Sequence, residues 1–145
     1  MTKHDELLRL VNGCDGLTAI EYSDSSDSPI VAWKLIARMC SVPILKTEDM
    51  GQLREWWLNV CSRLHIVDAA GMTLLSVGEF GSLPWLKTRV ENPSFLLALC
   101  DNEIVCSSIT LDTMAAITAE ESGHWLFAGN RRNSDWDLLA ENDPA

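Results

Sequence analysis

The helical part of the fold is decided by residues 47–64, which have the sequence TEDMGQLREWWLNVCSRL. Thr47 is a suitable helix cap, and Glu48 and Asp49 place negative charge at the helix start, where the helix dipole favours it. The apolar residues that follow recur at the three- and four-residue spacing of one helical face. They are Met50, Leu53, Trp57, Val60, Cys61 and Leu64. The pattern predicts that this stretch forms the longest helix of the chain.

Two further helices are predicted on the N-terminal side of this stretch. Ser28 and Pro29 are a typical cap and first-turn pair, and they precede a second apolar face at helical spacing. Thr2 is a suitable cap for a first helix, which Gly13 would end. Residues 17–22 between these helices are compatible with a strand. The apolar face of the helix after Pro29 comprises Ala32, Leu35, Ile36, Met39 and Cys40.

The C-terminal side has more features of strands than of helices. Asp101 and Asn102 resemble a tight hairpin turn between two apolar strands. Thr110 is a suitable cap for a fourth helix, from 111 to about 121, with Gly123 as its end. The predicted strands comprise residues 66–68, 72–77, 94–100, 103–108 and 124–128. The chain is therefore predicted to be a single α+β domain over residues 1–145, with three or four helices packed on a small, mainly antiparallel sheet.

The charge of the chain is strongly asymmetric. The net charge is −10, and about −8 of it falls in the last 56 residues, where ten carboxylates face only Arg131 and Arg132. A field of this sign repels nucleic-acid phosphates and anionic lipids and attracts basic proteins. No run approaches the roughly 18 apolar residues needed to span a bilayer. We therefore expect a basic protein partner, with no direct nucleic-acid or membrane binding.

The five cysteines favour a reduced, cytoplasmic setting, because they are odd in number and form no C-x-x-C pair. Cys100, Cys106 and His124 are the nearest candidates for metal ligands. The predicted hairpin places the two cysteines among apolar residues, so we expect core side chains and neither a metal nor a cofactor. Cys61 and His65 have the spacing of a helical contact, but Cys61 lies on the predicted apolar face.

The six tryptophans are unusually many for a chain of this length. Trp33 and Trp57 fit core positions, whereas Trp56 lies about 100° around the helix from Trp57 and is expected near the surface. Trp125 and Trp136 lie within the acidic half of the chain. Because exposed tryptophans commonly anchor protein interfaces, aromatic anchors are expected beside negative charge.

The leading hypothesis is a non-enzymatic inhibitor that covers the cationic site of a basic, nuclease-like toxin. In size, acidity and single-domain character the chain resembles bacterial immunity proteins. The alternatives are an acidic secretion chaperone, which would normally be a dimer that binds an effector, and a small enzyme dependent on Cys61 or Cys100. Residues 133–145 are expected to be either a docked segment or a flexible acidic tail. The predicted partner-binding residues are Asp101, Glu103, Glu120, Glu121, Asp135, Asp137, Trp56, Trp125 and Trp136.

Overall fold

The computed structural model describes residues 1–24, 27–38 and 43–130. This part of the chain contains a seven-stranded sheet in the order β1-β4-β3-β5-β6-β7-β2, in which every neighbouring pair is antiparallel. The α+β class is confirmed, but the sheet is larger than predicted. Its strands are β1 (Leu17–Tyr22), β2 (Leu45–Thr47), β3 (Met72–Val77), β4 (Leu86–Val90), β5 (Ile104–Ser107), β6 (Thr113–Glu120) and β7 (Gly123–Asn130).

Within the described residues, three α-helices accompany this sheet, namely α1 (Lys3–Asn12), α2 (Pro29–Arg38) and α3 (Met50–Arg63). Two 3₁₀ helices comprise residues Gly78–Phe80 and Pro93–Asn102. None of the helices in the described ranges is both long and apolar enough to cross a membrane. The predicted cap of α1 is confirmed, because the Thr2 side chain accepts a hydrogen bond from the Asp5 amide.

The predicted start of α3 is wrong by a few residues. Thr47 lies in β2, and Asp49 is the actual N-cap, because its Oδ1 accepts hydrogen bonds from the amides of Gly51 and Gln52 at 2.8 and 3.3 Å. A carboxylate that contacts two otherwise unpaired amides stabilises the helix start more directly than Thr47 does from further upstream. The predicted apolar face of α3 is otherwise confirmed from Leu53 to Cys61, whereas Met50 is exposed.

The sheet separates two apolar cores. The larger core lies between one face of the sheet and α1, α3 and the 3₁₀ helix 93–102, and it contains the fully buried Trp57. The smaller core lies on the other face beneath α2 and contains the fully buried Trp85. Trp33 is half-buried against this smaller core, where its Nε1 donates to Ser76 Oγ at 2.8 Å. The described part of the chain is therefore built in three layers, with helices on both faces of one sheet.

The fourth helix predicted over 111–121 is wrong, because this stretch contains β6. Residues from Met114 to Ile117 are consecutively buried, since β6 pairs with β5 on one side and β7 on the other and is covered on both faces. Met and Ala are good helix formers, but intrinsic helix propensity is a weak preference that pairing within a sheet readily overrides. The final predicted strand is confirmed and extends over Gly123–Asn130.

The hairpin predicted around Asp101 and Asn102 is also wrong. Residues 93–102 form a 3₁₀ helix. Asn92 caps its start, because the Asn92 Oδ1 accepts a hydrogen bond from the Ser94 amide at 2.9 Å. This helix buries Leu96, Leu99 and Cys100 at three- and four-residue spacings. The sequence pattern did not reveal this helix, because a short apolar run is equally compatible with a buried strand. Residues 66–68 form no strand, whereas β3 lies at the predicted position.

Candidate functional site

The antiparallel register brings several separate connections together at one end of the sheet. At this end β3 and β6 finish opposite the start of β5, because Ile104 pairs with both Val77 and Ile117. Gly123 at the start of β7 faces Glu120, and the next residue of β7 faces the last residue of β2. We call this end of the sheet the acidic end. The carboxylates in or beside these connections are Glu48, Asp49, Glu79, Asp101, Glu103, Glu120 and Glu121.

The acidic end contains four of the predicted partner-binding residues, namely Asp101, Glu103, Glu120 and Glu121. It also contains Glu48, Asp49 and Glu79, which the sequence reasoning missed or explained only by the helix dipole. The signal for them is weak, since they are distant along the chain and meet only through the strand register. Asp135, Trp136 and Asp137 lie outside the described residues.

The two remaining predicted anchors, Trp125 and Trp56, lie on opposite faces of the sheet. Trp125 packs against the smaller core, whereas the half-buried Trp56 packs against the larger core. The tertiary structure therefore groups Trp125 with the acids and leaves Trp56 on the other side of the sheet.

Trp125 borders an open depression of about 540 Å³ at the acidic end. Lys46 Nζ lies 4.3 Å from the centroid of the Trp125 ring, within range of a cation–π interaction. Glu48 lines the same depression, together with Thr47 and Ser122. A half-buried aromatic ring and a carboxylate therefore line the same depression.

A second depression, of about 440 Å³, flanks the acidic end on the α2 side. Trp33 and Ile30 of α2 line it together with Glu103, and Lys34 lies at the same site. Ile30 and the adjacent Val31 are 40 % and 48 % exposed. The exposed part of α2 thus adds apolar surface beside the acids. Sequence reasoning missed this surface, although both residues fall outside the predicted apolar face of the helix.

Two of the carboxylates at this end are held by hydrogen bonds within the chain. Glu103 Oε2 accepts a hydrogen bond from the Ala119 amide at 2.9 Å, and Glu120 Oε2 accepts one from Thr118 Oγ1 at 2.7 Å. Glu48, Glu79 and Glu121 are instead exposed side chains in connections between elements. A partner would therefore meet both fixed and adjustable negative charges.

Cys100, Asp101 and His124 form a compact cluster at the acidic end. Cys100 Sγ lies 3.6 Å from His124 Nε2, and Asp101 Oδ1 lies 2.7 Å from the same nitrogen. The sulfur and Oδ1 are 4.0 Å apart. The His124 side chain is 13 % exposed and that of Asp101 is 86 % exposed, while Cys100 is buried. Of the three residues considered as metal ligands from sequence, only Cys100 and His124 meet, because Cys106 is buried within the larger core.

The cluster differs from the arrangement of an activated cysteine nucleophile. In such sites the thiol and the acid contact opposite nitrogens of the imidazole, whereas here both contact Nε2. Burial, together with the neighbouring charge of Asp101, raises the pKa of Cys100 to about 11. The thiol is therefore protonated near neutral pH, which opposes nucleophilic attack.

The other predicted cysteine–histidine pair does not form a site either. Cys61 is buried in the larger core, and burial raises the pKa of its thiol well above the usual value. His65 is exposed and lies beyond the end of α3, with a positive φ of 52°. A buried protonated thiol and an exposed imidazole do not make a nucleophile and its base.

Comparison with known proteins found no matching family model, no similar curated protein and no similar solved structure.

Proposed function

We propose that the protein is a stoichiometric binding protein rather than an enzyme, and that it inhibits a basic partner by covering the partner's cationic site with the acidic end. In this proposal it acts in the cytoplasm, in the manner of bacterial immunity proteins that neutralise nuclease toxins. The supporting observation is the collection of carboxylates from separate connections at one end of the sheet.

The electrostatic part of the proposal depends on how closely the charges are grouped. At physiological salt, charges interact over a screening length of about 8 Å, so grouped carboxylates act on a partner together while scattered ones do not. Fields of this kind increase association rates by roughly 10- to 1,000-fold. Carboxylates also offer a cationic nuclease site an acceptor chemistry similar to that of phosphate oxygens.

The apolar part of the proposal depends on the two depressions that flank the acids. The half-buried Trp125 lines one depression together with Glu48, and the 40 % exposed Ile30 of α2 lines the other together with Glu103. Large apolar side chains near the centre of an interface commonly supply most of its binding energy. We therefore assign fast association to the carboxylates and slow dissociation to Trp125 and the exposed part of α2.

The proposal is tested by two triple variants that change the net charge equally at different places. One variant is Glu48→Gln, Glu120→Gln and Glu121→Gln, in which glutamine retains the acceptor that contacts Thr118. The matched control is Asp15→Asn, Asp68→Asn and Glu91→Gln, which are exposed carboxylates beside the opposite end of the sheet, where β1 and β3 begin and β4 ends. Each tagged chain is used to capture proteins from extracts of its native cells at low and moderate salt, and the bound proteins are identified by mass.

The wild-type chain and the control variant are expected to capture the same basic protein, which salt releases. With that protein purified, the acidic-end variant should associate at least about 10-fold more slowly and with a weaker salt dependence. Equal effects of the two triple variants would contradict the assignment of the surface, and failure of the wild-type chain to retain any basic protein would contradict the proposal itself.

The apolar contribution is tested on the same purified partner with Trp125→Ala and Trp56→Ala. Trp125→Ala should increase the dissociation rate by about 10-fold or more, because loss of an anchor costs over ~1 kcal/mol. Trp56→Ala is the matched control, since Trp56 lies on the other face of the sheet. A larger effect at Trp56 would place the interface on the side of α3 instead.

A further inference from the structure

The cluster of Cys100, Asp101 and His124 places three potential metal ligands within a small volume. Their sulfur, oxygen and nitrogen atoms all lie within 4.8 Å of one another. Both the thiol and the carboxylate converge on one nitrogen, His124 Nε2. A shared cation satisfies such convergence, because it binds all three atoms at once.

We propose that Cys100, Asp101 and His124 bind a divalent transition-metal ion, with Zn²⁺ as the preferred ion. This proposal is independent of the proposed partner.

The distances between the ligand atoms suit a tetrahedral zinc ion. Zinc bonds of about 2.3 Å to sulfur and about 2.0–2.2 Å to nitrogen and oxygen place ligand atoms roughly 3.3–3.6 Å apart. The distance of 3.6 Å between Cys100 Sγ and His124 Nε2 already matches this spacing. The two distances that involve Asp101 Oδ1, 2.7 and 4.0 Å, depart from it in opposite directions. Because the Asp101 side chain is 86 % exposed, a small rotation of its carboxylate corrects both distances.

The two other ligands are held in position by the fold. Cys100 lies in the last turn of the 3₁₀ helix 93–102, which is anchored in the larger core by Leu96 and Leu99. His124 lies in β7 between Ala119 of β6 and Thr47 of β2, so its backbone is paired on both sides. Two rigid ligands and one adjustable ligand favour binding, since little of the protein has to become ordered.

The ligand types favour zinc over the abundant hard cations. Thiolate and imidazole bind Zn²⁺ and Co²⁺ well, whereas Ca²⁺ and Mg²⁺ prefer sets of oxygen atoms. Binding forms metal bonds to Cys100 Sγ, His124 Nε2 and an Asp101 carboxylate oxygen, and the thiol proton is released to solvent. Three protein ligands leave a fourth tetrahedral position for water.

The proposal is tested with Co²⁺, whose thiolate complexes absorb in the near ultraviolet. The full chain, with its purification tag removed, is treated with a chelator, dialysed and titrated with CoCl₂; ZnCl₂ is then added. We expect a thiolate-to-cobalt band that saturates at one ion per chain and disappears when Zn²⁺ displaces Co²⁺. Cys100→Ser should abolish the band, whereas the control variant Cys14→Ser should retain it.

Asp101→Asn provides the second variant, because its exposed side chain can be changed without disturbing the core. It should weaken Co²⁺ binding by at least about 10-fold, as changes near metal ligands commonly do. The proposal is overturned if the wild-type chain shows no band, if the band survives in Cys100→Ser, or if Asp101→Asn binds Co²⁺ within twofold of the wild-type chain.

Discussion

Replacement of Gly123 by alanine is expected to destabilise the protein by about 3–5 kcal/mol, because this glycine allows β2 to pair with β7 at the acidic end. Gly123 has a φ of +127°, which L-residues rarely adopt. A Cβ atom at this position would lie 2.3 Å from the Thr47 carbonyl oxygen and 2.9 Å from its carbonyl carbon. Both contacts are with backbone, so no change of side-chain rotamer relieves them.

The magnitude combines two costs. The unfavourable backbone conformation costs on the order of 1–3 kcal/mol for a residue with a Cβ atom. To avoid the overlap, β2 must also move away from β7, and each backbone hydrogen bond lost there costs about 1 kcal/mol net. Because β2 comprises only Leu45–Thr47, the loss of two bonds removes much of its pairing.

The assay is urea unfolding, followed by tryptophan fluorescence and by far-ultraviolet circular dichroism. With a slope of about 1.5 kcal/mol/M, the midpoint of Gly123→Ala should fall by roughly 2–3 M. The matched control is Gly51→Ala in the first turn of α3, where the nearest atom to a new Cβ is Asp49 Oδ1 at 3.2 Å. Alanine is favoured over glycine in helices by about 0.5–1 kcal/mol, so this variant should be as stable as the wild type or slightly more stable. A Gly123→Ala variant within about 0.5 kcal/mol of the wild type would refute the reasoning.

Two further predictions concern the buried thiols and the cap of α3. Burial raises the pKa of Cys61 and Cys106 above the ordinary value of 9.0, so these thiols ionise first in the unfolded chain. The contribution of these two thiols to the free energy of unfolding should therefore be fully present below pH 9.0 and decline as the pH rises above it. Mass spectrometry after thiol labelling should find both residues unmodified until the protein unfolds. Rapid labelling under native conditions would contradict their burial. Asp49→Ala should cost about 1 kcal/mol in urea unfolding, because it removes the acceptor for two helix amides, whereas the neighbouring Glu48→Ala should change stability by less than ~0.5 kcal/mol. Equal effects at the two positions would mean that Asp49 is not the cap.

The helices of the N-terminal half were predictable because their signals are local. Thr2 and Gly13 bound α1 through contacts with residues a few positions away, and the apolar spacing of α3 is visible within a single stretch. The strand β6 was not predictable in this way, since its consecutive buried residues show no period and its Met and Ala residues also suit a helix. The three-residue strand β2 is too short to give any pattern, and it is held by pairing with β7.

The candidate site was predictable in composition but not in arrangement. The excess of acid in the C-terminal half and the presence of Trp125 are evident from the residues alone. The addition of Glu48 and Glu79 to the same surface depends on the sheet order, which no local signal specifies. The meeting of Cys100 with His124 likewise depends on a 3₁₀ helix and a strand that are separated along the chain.

The chain's local chemistry determines its net charge, its helix caps and the amphipathic faces of its helices, because each of these depends on residues within a few positions of one another. The strand order, the acidic end and the cluster around His124 were decided only by the tertiary structure. Each of these features depends on contacts between distant segments, and such contacts form only when the whole sheet buries its two apolar faces together.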